Sequence, residues 1–210
     1  MNHGFADFAR YEIINMLANK YNLKSYLEIG YQRGICYNNV NIYDKTAVDP
    51  SPLELQRTSD NNIPVLNVRL YLTTSDNFFS NTNKKWDFIF IDGLHTYDQV
   101  KRDLDNSLNH LSDDGIIMLH DMSPSTFERA ISFNEGGQWN GDCYKVGIDI
   151  YNGEYDFEYY TVDIDQGCMV IFPSKKRNVH KNSVNKNFYD FDRERTKVLN
   201  LISSDDFLNK

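Results

Sequence analysis

Two short segments carry the side chains suited to moving a proton or holding a cation: Asp92-Gly93-Leu94-His95 and His120-Asp121. Each follows an apolar run, Phe88 to Ile91 and Ile116 to Leu119, so a carboxylate and an imidazole are delivered twice to one predicted edge of a sheet. Asp92 and Asp121 on adjacent strand ends are placed to share one divalent cation. Magnesium prefers such oxygen ligands, whereas His120 as a further ligand suits zinc, manganese or iron, or else only orients Asp121. The Phe88 to Ile91 run delivers Asp92 and, three residues later, His95 into the same crevice. Taken singly, a strand-terminal Asp is also a turn former and a loop His is often just solvated.

The earlier strand ends point to a bound nucleoside. Glu28-Ile29-Gly30-Tyr31-Gln32-Arg33-Gly34 has two glycines that allow a tight turn and close approach of backbone to ligand. Asp49 ends the next run nineteen residues after Gly30, where a carboxylate can accept hydrogen bonds from both hydroxyls of a ribose. No Lys follows the glycine turn as in a phosphate loop, and Glu28 adds negative charge at the expected mouth. A cofactor with positive groups in place of phosphate is favoured by Coulomb's law, which indicates S-adenosyl-L-methionine (SAM). In Thr73-Thr74-Ser75-Asp76 the polar side chains either meet the adenine edge or cap a helix at Ser75 or Asp76.

These residues need a scaffold, and the periodicity supplies one. Phe5, Ala9, Ile13, Met16 and Leu17 form an amphipathic stripe that predicts a helix over 5–18. Apolar runs at Tyr26 to Ile29, Thr46 to Val48, Val65 to Leu70, Phe88 to Ile91 and Ile116 to Leu119 read as buried strands of a parallel sheet. Between the last two, Tyr97, Val100, Leu104, Leu108 and Leu111 predict a helix opened by a Thr96/Gln99 capping box and closed by a Ser112–Gly115 turn. The alternation predicts a doubly wound α/β sheet. Tyr155 to Ile164 and Cys168 to Phe172, split by Asp165-Gln166-Gly167, predict a C-terminal antiparallel hairpin at the sheet edge. Residues 1–173 are thus expected to form the domain, with 174–210 an exposed connector and one short helix.

The 210 residues carry a net charge of −8, which argues against nucleic acid as a partner. The first twenty include Asp7, Arg10 and Glu12, unlike a signal peptide, and no run is long enough to span a bilayer. A soluble cytoplasmic protein without a membrane partner is expected, with a homo-oligomer through the C-terminal helix as an alternative to packing on its own domain. Cys36, Cys143 and Cys168 have no paired spacing and read as buried free thiols.

The sequence resembles the class I SAM-dependent methyltransferases, in a bacterial and viral group sharing Tyr-Leu-Glu-Ile-Gly, Val-Asp-Pro, Phe-Ile-Asp-Gly-Leu-His and Leu-His-Asp. The resemblance runs through Tyr26 to Gly34, Val48 to Pro50, Thr74 to Phe79, Asp87 to Tyr97 and Gly115 to Pro124. It implies a Rossmann-like, mostly parallel seven-stranded sheet, with Glu28, Gly30 and Gly34 around the methionine part of SAM and Asp49 on its ribose. Ser75, Asp76 and Asp92 complete the expected cofactor contacts. The Asp92/His95 pair is also similar to the site of metal-dependent O-methyltransferases of natural-product sugars, where the Asp is a metal ligand and the His a base. Those enzymes have two adjacent acids where this chain has His120-Asp121. The expected activity is O-methylation of a saccharide or other small molecule, with Asp92, Asp121 and His120 as metal ligands. A SAM-binding subunit without chemistry, an NAD-dependent oxidoreductase and a metal-dependent hydroxylase or hydrolase are the alternatives. Asp142 and Lys145 face the acceptor or form a surface pair; Trp139, Tyr144, Tyr151 and Tyr155 stack on a sugar or fill the core.

Overall fold

The computed structural model describes residues 9–52, 69–131, 139–176 and 183–210. Helix α1 (Arg10–Tyr21) leads into β1 (Ser25–Ile29), short α2 (Ile35–Asn39) and β2 (Asp44–Val48). The next described strand, β3 (Leu70–Tyr71), precedes α3 (Ser75–Ser80), β4 (Trp86–Ile91), α4 (Tyr97–Asn109) and β5 (Leu111–Leu119). Then come α5 (Phe127–Ala130), α6 (Tyr144–Asn152), β6 (Glu158–Val162), β7 (Cys168–Phe172), α7 (Phe188–Val198), β8 (Leu201–Ile202) and α8 (Ser204–Leu208).

The strands form one sheet in the order β3-β2-β1-β4-β5-β7-β6-β8. Neighbours from β3 to β5 pair in parallel, and β7 runs antiparallel to both β5 and β6. The chain winds outward from β1 in one direction and from β4 in the other, which leaves a crevice where the order reverses. Alternation in the central strands feeds both faces. Phe88 and Phe90 pack with Tyr26, Ile116 and Met118 under α1, while Ile89 and Ile91 pack with Leu27, Ile117 and Leu119 under α4 and α6. With both faces apolar, no polar alternation marks these strands in the sequence.

Three expectations about elements are corrected. The sheet has eight strands among the described residues, because β8 pairs in parallel with β6 and takes the edge expected for the hairpin. The single C-terminal helix is replaced by α7, β8 and α8, with Phe191, Val198 and Leu199 fully buried. The Ser112–Gly115 segment lies within β5 as a break in register against β4: Trp86 pairs with Leu111 but Phe88 pairs with Ile116. Helix α1 starts at Arg10, later than the predicted start, and Phe5 lies outside the described residues. So does Val65 to Val68 of the predicted third strand, and so do residues 177–182 of the predicted connector.

All three cysteines are buried and free, as expected. No helix of the described residues is long and apolar enough to cross a membrane.

Candidate active site

Strand register sets the site. Ile29 lies opposite Val48 and Ile91, and Ile91 opposite Leu119, so Gly30, Asp49, Asp92 and His120 are each the first residue past a strand end. Backbone bonds continue the ladder one step further, from Gly30 N–H to Val48 O (2.9 Å), Asp92 N–H to Ile29 O (2.8 Å) and His120 N–H to Ile91 O (3.1 Å). Gly30 has φ +95°, and a Cβ there would collide with the Asp92 carbonyl, so only glycine lets the β1 and β4 turns lie against each other.

Beyond these ends opens a cleft of about 670 Å³, lined by Gly30, Asp49, Ser75, Asp76, Asp92, His95, His120 and Asp121 among others. This is the size of a small-molecule site. Asp49 is fixed from both sides: its Oδ2 accepts the Gln32 N–H (2.8 Å) and its Oδ1 the Ser51 N–H (2.7 Å). A carboxylate oxygen can accept more than one bond, so both retain capacity toward the cleft. Thr74, not Ser75 or Asp76, caps α3, accepting the Asn77 N–H at 3.3 Å. Ser75 and Asp76 are instead its first helical residues and line the cleft.

Glu28 and Gly34 are not among the lining residues. Glu28 is 1% exposed and points to the α1 face, where the Tyr26 hydroxyl donates to it. Burial pushes its carboxyl up to about 8, so it carries a proton at neutral pH rather than a negative charge at the mouth. Gly34, with φ +69°, begins α2 under the Tyr31 ring, which a Cβ would strike.

The far wall gathers the ionisable side chains. His95 Nε2 lies 3.4 Å from Asp92 Oδ1 and 3.3 Å from Asp121 Oδ2, and Nδ1 lies 3.0 Å from the Trp139 carbonyl. A carbonyl only accepts, so Nδ1 carries the proton and Nε2 is the basic nitrogen. Burial alone would lower the His95 pKa, but the bond to Asp92 and the charge of Asp121 raise it above the usual histidine value. Gly141, φ +65°, lets the Trp139–Asp142 segment close over His95, because a Cβ there would meet the His95 carbonyl.

The structure brings Asp92 and Asp121 together as expected but changes their companion. Asp92, His95 and Asp121 present ligand atoms within 4.8 Å of one another, and His120 is outside that group. His120 Nδ1 is bound to Asp121 Oδ2 at 2.9 Å and lies 3.3 Å from Asp92 Oδ1, while Nε2 faces Asp165 at 3.7 Å. Burial disfavours a charged imidazole, yet Asp92, Asp121 and Asp165 together raise the His120 pKa well above normal. In this arrangement it serves as a counter-ion of the carboxylates.

Several site residues carry no signal in the sequence. Arg10, at the first turn of α1, pairs with Asp92 and grips Asp165 through Nε (2.6 Å) and Nη2 (3.1 Å). Asn140 donates to Asp121 Oδ1 at 2.9 Å. The expected capping box is also absent: Asp142 Oδ1 accepts the Tyr97 N–H (2.6 Å), and Gln99 turns to Asp103 (3.0 Å) and Ser75 (3.2 Å). Asp142 pairs with Lys145 at 2.8 Å as well. Of the four aromatic residues singled out above, Trp139 alone lines the cleft, packed on His95 with ring centroids 5.2 Å apart. Tyr144 is core, buried against Phe191.

Comparison with known proteins bears on this arrangement. Residues 27–122, a little under half of the chain, match a family described as a methyltransferase domain. Over those residues the chain is similar to methyltransferase domains. The methyltransferase fold extends over most of its length. A Staphylococcus aureus protein provisionally assigned as a caffeoyl-CoA O-methyltransferase superposes with a TM-score of 0.62 at 19% identity, covering 80% of this chain and 84% of that one. The Podospora anserina methyltransferase PaMTH1, solved with S-adenosylhomocysteine (SAH), gives 0.58 at 18%, covering 80% and 79%. The Bacillus cereus O-methyltransferase in complex with SAH gives 0.53 at 11%, covering 81% and 84%. A search of curated proteins gives no match. The cleft described above lies at the reversal point of the sheet, and the matched region supplies every strand end that builds it except the β6–β7 turn.

Proposed function

We propose that the chain transfers a methyl group from SAM to a hydroxyl oxygen of a small polyhydroxylated acceptor of the saccharide class. The observation that carries the reading is the position of His95 Nε2, between Asp92 and Asp121 and opening onto the cleft that Asp49 and Gly30 line. The residues present fit the cofactor. Six aspartates line the cleft, Asp49, Asp76, Asp92, Asp103, Asp121 and Asp165, against Arg10 and the protonated His120, an acidic excess that suits a ligand bearing a sulfonium and an ammonium. Asp49 is oriented by two backbone N–H groups and offers acceptors to a ribose diol. The bound cofactor supplies an electrophilic methyl on a positively charged sulfur.

The chain's own residues then do the remaining work. Trp139 and the Gln166 and Asn140 amides offer a flat face and polar partners to a sugar ring. His95 Nε2 takes the hydroxyl proton as the oxygen–carbon bond forms and the carbon–sulfur bond breaks, its electron pair staying on sulfur as a neutral thioether. Asp92 and Asp121 stabilise the imidazolium that results. Holding oxygen and methyl in line is worth on the order of 7–11 kcal/mol in favourable systems.

For the divalent ion, Asp92, His95 and Asp121 meet the distance requirement. They do not meet the charge requirement: Arg10 holds Asp92 Oδ2, His120 holds Asp121 Oδ2, and Asn140 holds Asp121 Oδ1. No step here is routed through a metal.

The test is a mass-spectrometric screen of saccharides and nucleotide sugars, with catechols as a contrasting class. The expected result is one added methyl on a saccharide, matched by formation of SAH. Methylation of catechols alone overturns the acceptor class, and absence of SAH with every acceptor overturns the reaction.

A further inference from the structure

The carboxylate cluster of the cleft is already paired with basic groups of the protein. Asp92, Asp121 and Asp165 face three basic groups: Arg10, His120 and His95. Arg10 is not a loose surface residue that happens to reach the site. Its helix start is fixed by Glu12, whose carboxylate accepts the Ala9 N–H at 2.6 Å. Its fork spans two carboxylates from distant parts of the chain, with Nη1 on Asp92 and with Nε and Nη2 on the two oxygens of Asp165, an arrangement only a guanidinium can make. Asp165 itself sits in left-handed conformation (φ +44°) in the β6–β7 turn, followed by Gln166 (φ +68°) and Gly167 (φ +89°). Two successive non-glycine residues in that region are strained, and the turn that bears the strain delivers the carboxylate gripping Arg10. Burial is nearly complete at His120, whose Nε2 has no hydrogen-bond partner and is directed toward Asp165 at 3.7 Å.

We infer that Arg10 is the resident cation of this cluster, so that its guanidinium and a divalent ion are alternatives at Asp92, and the chain works with the guanidinium in place. The inference deepens the reading above and rests on it only for the use to which the cleft is put. Asp92 Oδ2 is taken by Arg10, and a dication on Asp92 Oδ1 would lie beside the guanidinium and two imidazoles with no carboxylate left unpaired. Arg10 also gives the cluster a fixed shape, because it ties α1 to the β4 and β6–β7 turns. It is a positioning residue, holding Asp92 where Asp92 orients His95.

The experiment is titration of the full chain, stripped with chelator, with Mn²⁺, read as loss of the electron paramagnetic resonance signal of the free ion. Wild type is expected to leave that signal nearly unchanged. Arg10→Met should bind Mn²⁺ at least about tenfold more tightly, the scale expected when a positive charge within ~5 Å of a dication is removed. Arg10→Gln, which keeps a hydrogen-bonding side chain without the charge, is the second variant should Arg10→Met fail to fold, with the same expectation. Arg10→Lys should remain as weak as wild type. Wild-type binding as tight as either neutral variant overturns the inference, and so does failure of the folded neutral variants to bind. The readout requires neither SAM nor acceptor, so a chain that binds no SAM would end the proposed function while leaving this titration decisive on Arg10.

Discussion

Replacing His95 with glutamine is expected to lower kcat by about 10²–10⁴-fold, the usual contribution of a positioned base, while SAM affinity stays within a few-fold of wild type. Glutamine retains a hydrogen-bonding group beside Asp92 and Asp121 but cannot take a proton. The loss should therefore appear in the chemical step rather than in binding. The pH profile adds an independent readout. A base acts when unprotonated, and Asp92 and Asp121 raise the His95 pKa above the ordinary 6.5 despite the opposing effect of burial. In wild type, kcat/KM should rise with pH through a value above 6.5 and fall away below it. In His95→Gln that limb should vanish. Single-turnover measurements on the identified acceptor check both, and a variant with wild-type kcat and an unchanged profile removes His95 from the reaction.

The second large effect concerns stability. Burial holds the Glu28 carboxyl at about 8 in the folded chain against an ordinary 4.5. The folded-state value is the higher, so the stability this group contributes is fully present below pH 4.5 and is lost as pH rises through about 8. Between those limits the folded chain keeps a proton that the unfolded chain releases, an effect on the order of 5 kcal/mol. Glu28→Gln keeps an acceptor for the Tyr26 hydroxyl without the ionisation. Urea denaturation at pH 5 and pH 8 should show wild type losing more stability than the variant, with the variant the more stable of the two at pH 8. Equal losses in both chains would mean that Glu28 ionises freely in the fold. His120, also raised, contributes a slope of the same sign to both chains, so the comparison isolates Glu28.

What the sequence made legible follows from locality. Strands β1, β2, β4 and β5, and therefore Gly30, Asp49, Asp92 and His120 at their ends, were readable because each apolar run and the residue after it are contiguous. Parallel register then brings those residues level. Helix α4 is readable from its 3.6-residue stripe and starts after Thr96 as predicted, but its capping is not local: the Thr96 side chain makes no cap bond, and the Tyr97 N–H is bound by Asp142, 45 residues away. Helix α6 was missed because Val146, Ile148 and Ile150 alternate as in a strand. Gly153, closing it at φ +92°, was the one local signal. Arg10 and Asp165 lie 155 residues apart, and nothing in either neighbourhood marks them as partners. Asp165 read as turn punctuation, which it is, while its side chain is part of the cleft. Glu28 misled for the converse reason. Its position at a strand end suggested an exposed charge, but strand alternation turned it with Tyr26 to the α1 face, where it is buried and protonated.

If the acidic cleft at the strand ends receives the positively charged adenosyl cofactor, isothermal titration of the full chain with SAM will register it. The expected result is saturable one-to-one binding, abolished or weakened at least about tenfold in Asp49→Ala, where the proposed acceptor for the ribose diol is removed. No heat of binding, or binding of equal strength in wild type and Asp49→Ala, would contradict it.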